Sequence, residues 1–291
     1  MLEQTRHVHQ VLSPREQHWV GDGFFVSTVF SPFVVDPQLI SPFLMLDYGA
    51  PKDFAGSEKQ RGVGEHPHRG FETVTFAYSG EIEHRDSNGG GGIIGPGDVQ
   101  WMTAASGVVH EELFSKEFAR TGGTLEMLQL WVNLPARLKM SKPRYQTLPA
   151  AAFPTFSVGD AQSRLIAGRF EEHTGPANTY TPMRVLELDF PHGGEARFES
   201  PKHHTALAVV LAGALHVTDR QQAKRGDVVL FERGGPRGLA LSATQNSKVL
   251  MLEGEPLGEP VSAHGPFVMN HPEEIREAIQ DYQRGEMGHL P

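Results

Sequence analysis

Four side chains in the first half of the chain have the types and spacing of a metal site. His66 and His68 stand two apart in Gly64-Glu65-His66-Pro67-His68-Arg69-Gly70-Phe71-Glu72. His110 and Glu112 stand two apart after Ser106-Gly107-Val108-Val109. Side chains of a β-strand alternate faces with a period of two, so each pair presents both members to one side. Together the pairs offer three imidazole nitrogens and one carboxylate, a set that suits iron, zinc, manganese, nickel or copper as a divalent ion. Glu72 stays open as an alternative carboxylate. The strand is expected to run from His66 to Tyr78, so its parity also points Glu72 inward. A metal held this way keeps positions open for small molecules, where it lowers the pKa of a hydroxyl and holds reactants together. Glu112, or Glu72 in its place, is then the candidate catalytic base.

Strands must carry these residues, and the composition favours them. The chain of 291 residues has 32 Gly and 21 Pro, a turn-rich balance that suits many short strands. Strands are expected at 24–30, 41–48, 66–78, 81–87, 99–103, 107–114 and 125–134, then at 164–168 and 183–190. Residues 51–65 read as a loop. Residues 135–155 hold Pro135, Pro143, Pro149 and Pro154 and read as a linker. Residues 272–282 read as a helix that Asn270 or His271 caps and Gly285 stops.

Composition also narrows the function. With no cysteine there is no disulfide, thiolate ligand or cysteine nucleophile, and the absence fits a reducing cytosol. A net charge of −9 argues against direct nucleic-acid binding, which needs basic patches. No stretch approaches a membrane-spanning apolar run, and the first residues lack the apolar core of a signal peptide. The expectation is a cytoplasmic protein with no membrane contact.

The chain also repeats itself weakly. Gly80-Glu81-Ile82-Glu83-His84 aligns with Gly213-Ala214-Leu215-His216, and Gly97-Asp98 with Gly226-Asp227. An apolar strand precedes the first element in each copy, and another follows the second. Carried across, His66 falls on Glu199, His68 on Pro201, His110 on Leu239 and Glu112 on Leu241. The second copy therefore lacks the metal site. The expected domains are 1–140, which binds metal, and 141–291, which does not.

These features resemble the pirin family of the cupin superfamily over most of the chain. The resemblance rests on His66-Pro67-His68-Arg69-Gly70-Phe71-Glu72-Thr73-Val74, Pro96-Gly97-Asp98-Val99-Gln100-Trp101-Met102-Thr103-Ala104 and Gly107-Val108-Val109-His110-Glu111-Glu112. Leu128 to Leu134 and His264-Gly265-Pro266-Phe267-Val268-Met269-Asn270 also match. The resemblance implies an all-β fold of two tandem cupin (double-stranded β-helix, or jelly-roll) domains with a short C-terminal helix. It implies one metal, taken as iron, on His66, His68, His110 and Glu112, and it favours Glu112 over Glu72. It further implies quercetin 2,3-dioxygenase activity on a flavonol and O2. The alternative is a redox-dependent regulator that binds a transcription factor or metabolic enzyme. A monomer is expected, since the tandem repeat supplies the domain pairing within one chain. Of the remaining candidates, His84, Gln100 and Trp101 read as pocket wall or core, and Arg69 as an outer-face residue. His264 to Asn270 reads as a domain-closing motif, and His203 and His204 as surface histidines.

Overall fold

The computed structural model describes residues 4–218 and 221–290. It is built almost wholly of antiparallel strands and divides into two compact units. One comprises residues 16–37, 43–151 and 257–291, and is called here the histidine unit. The other comprises 1–15, 38–42 and 152–256. The sequence-based division at 140/141 is a single cut, whereas each unit gathers separate stretches of chain. No described helix is long and apolar enough to cross a membrane.

Each unit pairs a seven-stranded sheet with a four-stranded one, the architecture of a cupin sandwich. In the histidine unit the larger sheet runs Arg144–Leu148, Val99–Thr103, Phe71–Ser79, Gly122–Asn133, Phe43–Ala55, Phe24–Phe30, His18–Val20. The smaller runs Gly62–His68, Val108–Phe114, Ile82–Asp86, Gly91–Ile94. Phe24, Val26, Ala77, Ile82, Ile94, Phe114 and Met127 form an apolar core at one end of this unit. In the other unit the larger sheet starts with Val8–Leu12 and centres on Thr205–Ala212, Ser247–Gly254 and Met183–Phe190. Its core includes Leu186, Leu188, Phe190, Ala206, Ala208, Val210, Val249 and Met251.

Three expectations about elements change. The strand expected over 66–78 is two strands, Gly62–His68 and Phe71–Ser79. The break falls at Gly70, where φ is +91° and a Cβ would lie 2.0 Å from the Val268 carbonyl oxygen. Only glycine fits there without displacing backbone. The expected loop 51–65 is largely strand, because Phe43–Ala55 and Gly62–His68 extend into it from either side. The expected linker 135–155 contains the strand Arg144–Leu148, which pairs along Val99–Thr103. It also contains Lys139, whose buried ammonium donates to the carbonyls of Gly70 and Val268 and to Asn133 Oδ1 at 2.7, 2.9 and 2.6 Å. The prolines there fall between the elements and not within them.

The helix Pro272–Gln283 forms as its capping residues predict. Glu274 accepts from the backbone N–H groups of Asn270 and His271 at 2.9 and 2.8 Å, and Gly285 follows with φ of +76°.

Candidate metal centre

The ladder between Gly62–His68 and Val108–Phe114 sets His66 directly opposite His110. An extra residue on the first strand then puts Glu112 opposite Val63, a bulge of the kind that re-aims side chains beside functional sites. One ring nitrogen each from His66, His68 and His110 lies within 4.8 Å of the others. His66 is partly exposed, while His68 and His110 are buried.

Hydrogen bonds decide which nitrogen each ring has available. His66 Nδ1 lies 2.8 Å from the Gly64 carbonyl and His68 Nδ1 lies 3.3 Å from the Pro266 carbonyl. A carbonyl only accepts, so Nδ1 carries a proton in both rings and Nε2 is the nitrogen left to face a metal. His110 Nδ1 lies 3.3 Å from His84 Nδ1, and His84 Nε2 lies 3.3 Å from Asp86 Oδ2. One proton arrangement satisfies this chain when His110 Nε2 is a lone pair: His110 Nδ1–H donates to His84, and His84 Nε2–H donates to Asp86. His110 Nε2 itself is buried with no hydrogen-bond partner. Burial, then the like charge of His66, holds both His68 and His110 well below the ordinary histidine range. Neutral imidazoles with the far nitrogen tied to an acceptor are the usual state of metal-binding histidines, so this set fits a metal ion.

Glu112 faces the same interior but stands outside the close cluster of three histidines. Its Oε1 accepts from Thr75 Oγ1 at 3.0 Å and from Gln100 Nε2, and its Oε2 accepts from Gln129 Nε2 at 2.7 Å. These donors belong to one row across the larger sheet. Strand register aligns Thr28, Asp47, Gln129, Thr75 and Gln100 side by side on adjacent strands. Thr28 Oγ1 donates to Asp47 at 2.6 Å, and burial pushes the Asp47 carboxyl above its usual range. Beside His66 and Glu112 is a small cavity of about 40 Å³, lined also by Asp47, Gln129 and Phe24.

Glu72 lies elsewhere. It pairs with Thr103 in the ladder, an odd number of residues from the Thr75–Gln100 pair, so it faces the opposite side of the sheet. The break at Gly70 resets the parity that an unbroken strand would have kept. Glu72 accepts from Thr103 Oγ1 at 2.7 Å, and burial pushes its carboxyl up to about 7.

Arg69 is not an outer-face residue. It is buried, donates to the Ser106 carbonyl at 2.6 Å and pairs with Asp281 of the C-terminal helix at 2.7 Å. The motif His264 to Asn270 forms the hairpin Ser262–His264 and Phe267–Met269, whose turn supplies the carbonyl that orients His68. His84 stacks on Tyr145 at 4.7 Å and orients His110, a role beyond that of pocket wall. Trp101 is fully buried, as expected of core. His203 is exposed, as a surface histidine should be, whereas His204 is partly buried.

Sequence reading missed Asp47, Thr75, Asp86, Gln129 and Tyr145. Asp47 and Gln129 leave a signal: each interrupts a local apolar run, in Leu44-Met45-Leu46-Asp47 and Leu128-Gln129-Leu130.

Comparison with known proteins agrees with this architecture. The Pirin family model matches residues 27–132, and the model of the pirin C-terminal cupin domain matches 185–288. A Pseudomonas aeruginosa protein named "Putative quercetin 2,3-dioxygenase" is 52% identical over 271 residues, covering 92% of this chain and 94% of the relative. A pirin-like protein of Caulobacter vibrioides is 38% identical, covering 86% and 88%. The crystal structure of a quercetin 2,3-dioxygenase from Acinetobacter baumannii superposes with a TM-score of 0.93 at 45% identity, covering 98% of this chain and 99% of that one. With two cupin domains, the cluster of His66, His68 and His110 and these relatives, the chain belongs to the pirin family.

Proposed function

We propose that this protein is a mononuclear metal-dependent dioxygenase that opens the ring of a flavonol such as quercetin with O2. The observation that carries the reading is the convergence of His66, His68 and His110, each with Nδ1 engaged and Nε2 available. These three and Glu112 would hold the ion. Iron is the proposed metal, and the donor set also accepts zinc, manganese, nickel or copper. The names carried by the Pseudomonas and Acinetobacter relatives support the substrate class.

When bound, the metal supplies a Lewis acid and a redox centre that brings flavonol and O2 together. The chain's own residues do the rest. Thr75, Gln100 and Gln129 hold Glu112 as a hydrogen-bond acceptor facing the histidines. Released from the ion, Glu112 takes the proton of the flavonol hydroxyl and so acts as the catalytic base. Val20, Phe24, Val26 and Val63 line the small cavity and keep bulk water from it. That cavity suits a molecule of the size of O2 or water, so the flavonol approaches from solvent, where His66 is partly exposed.

The small cavity also favours a second reading, a regulator in which a closed metal site controls a protein-docking surface. Elemental analysis of His66→Ala, His68→Ala and His110→Ala tests the ligand assignment common to both. Loss of bound metal with unchanged circular dichroism is expected. Metal content equal to the parent protein would contradict the assignment.

A further inference from the structure

We infer that the unit without the histidine cluster has a ligand site of its own, for a small organic carboxylate. In the histidine unit, the pair His68–Val108 closes the ladder between Gly62–His68 and Val108–Phe114. In the other unit, Glu199–Gly238 closes the corresponding ladder between Gly194–Glu199 and Gly238–Ala243. At that end lies a cavity of about 450 Å³, lined by Glu199, Pro201, His204, Arg237, Arg169 and Arg184, among others. The ladder ends set Glu199 where His68 stands, and the repeat alignment sets it where His66 stands, so both bring the end of the histidine strand to this cavity. The same strand ends that gather imidazoles in one unit thus surround an open space in the other. Its volume is within the range of small-molecule sites, and more than ten times that of the cavity beside His66.

Its charge selects the ligand. Arg169, Arg184 and Arg237 line it, and Arg6 lies behind its wall, donating to the carbonyls of Pro201 and His204. The carboxylates of the lining are Glu199 and Glu253. Glu253 is fully committed, with Arg184 donating to its two oxygens at 2.7 and 2.8 Å. Glu199 meets Arg237 at 3.2 Å, with both side chains more than half exposed, a pairing that an incoming anion can replace at little cost. The exposed guanidinium of Arg169 has no acid or hydrogen-bond acceptor among the described residues. Positive charge therefore exceeds negative here, in a chain whose net charge is −9. Arginine forks recognise carboxylates in two-point fashion. Gly168, Pro182, Met183 and Pro201 provide apolar wall for the body of the ligand, which inorganic phosphate could not use.

Benzoate is the probe, titrated calorimetrically into the metal-loaded protein, with inorganic phosphate at matched ionic strength as comparison. Saturable binding of benzoate, tighter than that of phosphate, is expected. In the double variant Arg169→Ala/Arg237→Ala, which alters exposed side chains only, its dissociation constant should rise about tenfold or more. In His66→Ala it should be unchanged, so failure of the metal assignment and failure of this site are separate results. No saturable benzoate binding, binding retained in the double variant, or phosphate bound as tightly as benzoate would each overturn the inference.

Discussion

His110 is useful to a metal only if its buried Nε2 stays a lone pair, and His84 is the residue that arranges this. His84→Phe keeps a ring to stack on Tyr145 but removes the acceptor for His110 Nδ1–H. Metal affinity should fall about 10–100-fold with secondary structure intact, as when such supporting partners are lost elsewhere. A chelator competition titration measures it, and unchanged affinity would remove His84 from the site. Glu72 gives a prediction of a different kind. Its carboxyl titrates near 7 in the folded state against an ordinary value of 4.5, so between these the folded state holds more protons than the unfolded one. This contribution to stability is complete below pH 4.5 and is lost as pH rises through 7. It amounts to something on the order of 3 kcal/mol. Glu72→Gln should flatten the decline in urea-unfolding stability over that window; an unchanged slope would assign the decline to other groups. The histidine pairs were legible because period two needs nothing but the chain. The face of Glu72 was not, because it depends on a break at Gly70, whose backbone packs against the Val268 carbonyl from far along the sequence.

Among the elements, the C-terminal helix does the least expected work. Asp281 on its buried side pairs with Arg69, beside His68. Removing one partner of a buried pair leaves an uncompensated charge, so Asp281→Ala should cost about 3–5 kcal/mol in denaturant unfolding. A loss below about 1 kcal/mol would mean that Arg69 finds water instead. The helix itself was readable from its caps, since Pro272, Glu274 and Gly285 act locally. The strand Arg144–Leu148 was not, because its prolines argue for a linker and only pairing with Val99–Thr103 holds it. That pairing delivers Tyr145 to His84, a contact that no local pattern announces.

For the whole molecule, the sequence repeat foretold two copies of one fold with the histidines in one copy. It could not foretell that Val8–Leu12 joins the sheet of the unit without them, or that residues 257–291 join the histidine unit. Strand pairing over such distances leaves no periodic trace. Metal should stabilise the histidine unit alone, by about 4 kcal/mol at a thousandfold excess over its dissociation constant, and hydrogen exchange resolved by segment would see this. Equal protection gained in both units would contradict a single centre. The most direct test of the account is aerobic consumption of quercetin by the iron-loaded protein, followed by absorbance and O2 uptake. The account predicts metal-dependent loss of quercetin with matching O2 uptake, absent from the metal-free protein and from His110→Ala. A fully loaded centre that leaves quercetin untouched would contradict the dioxygenase and leave the regulator.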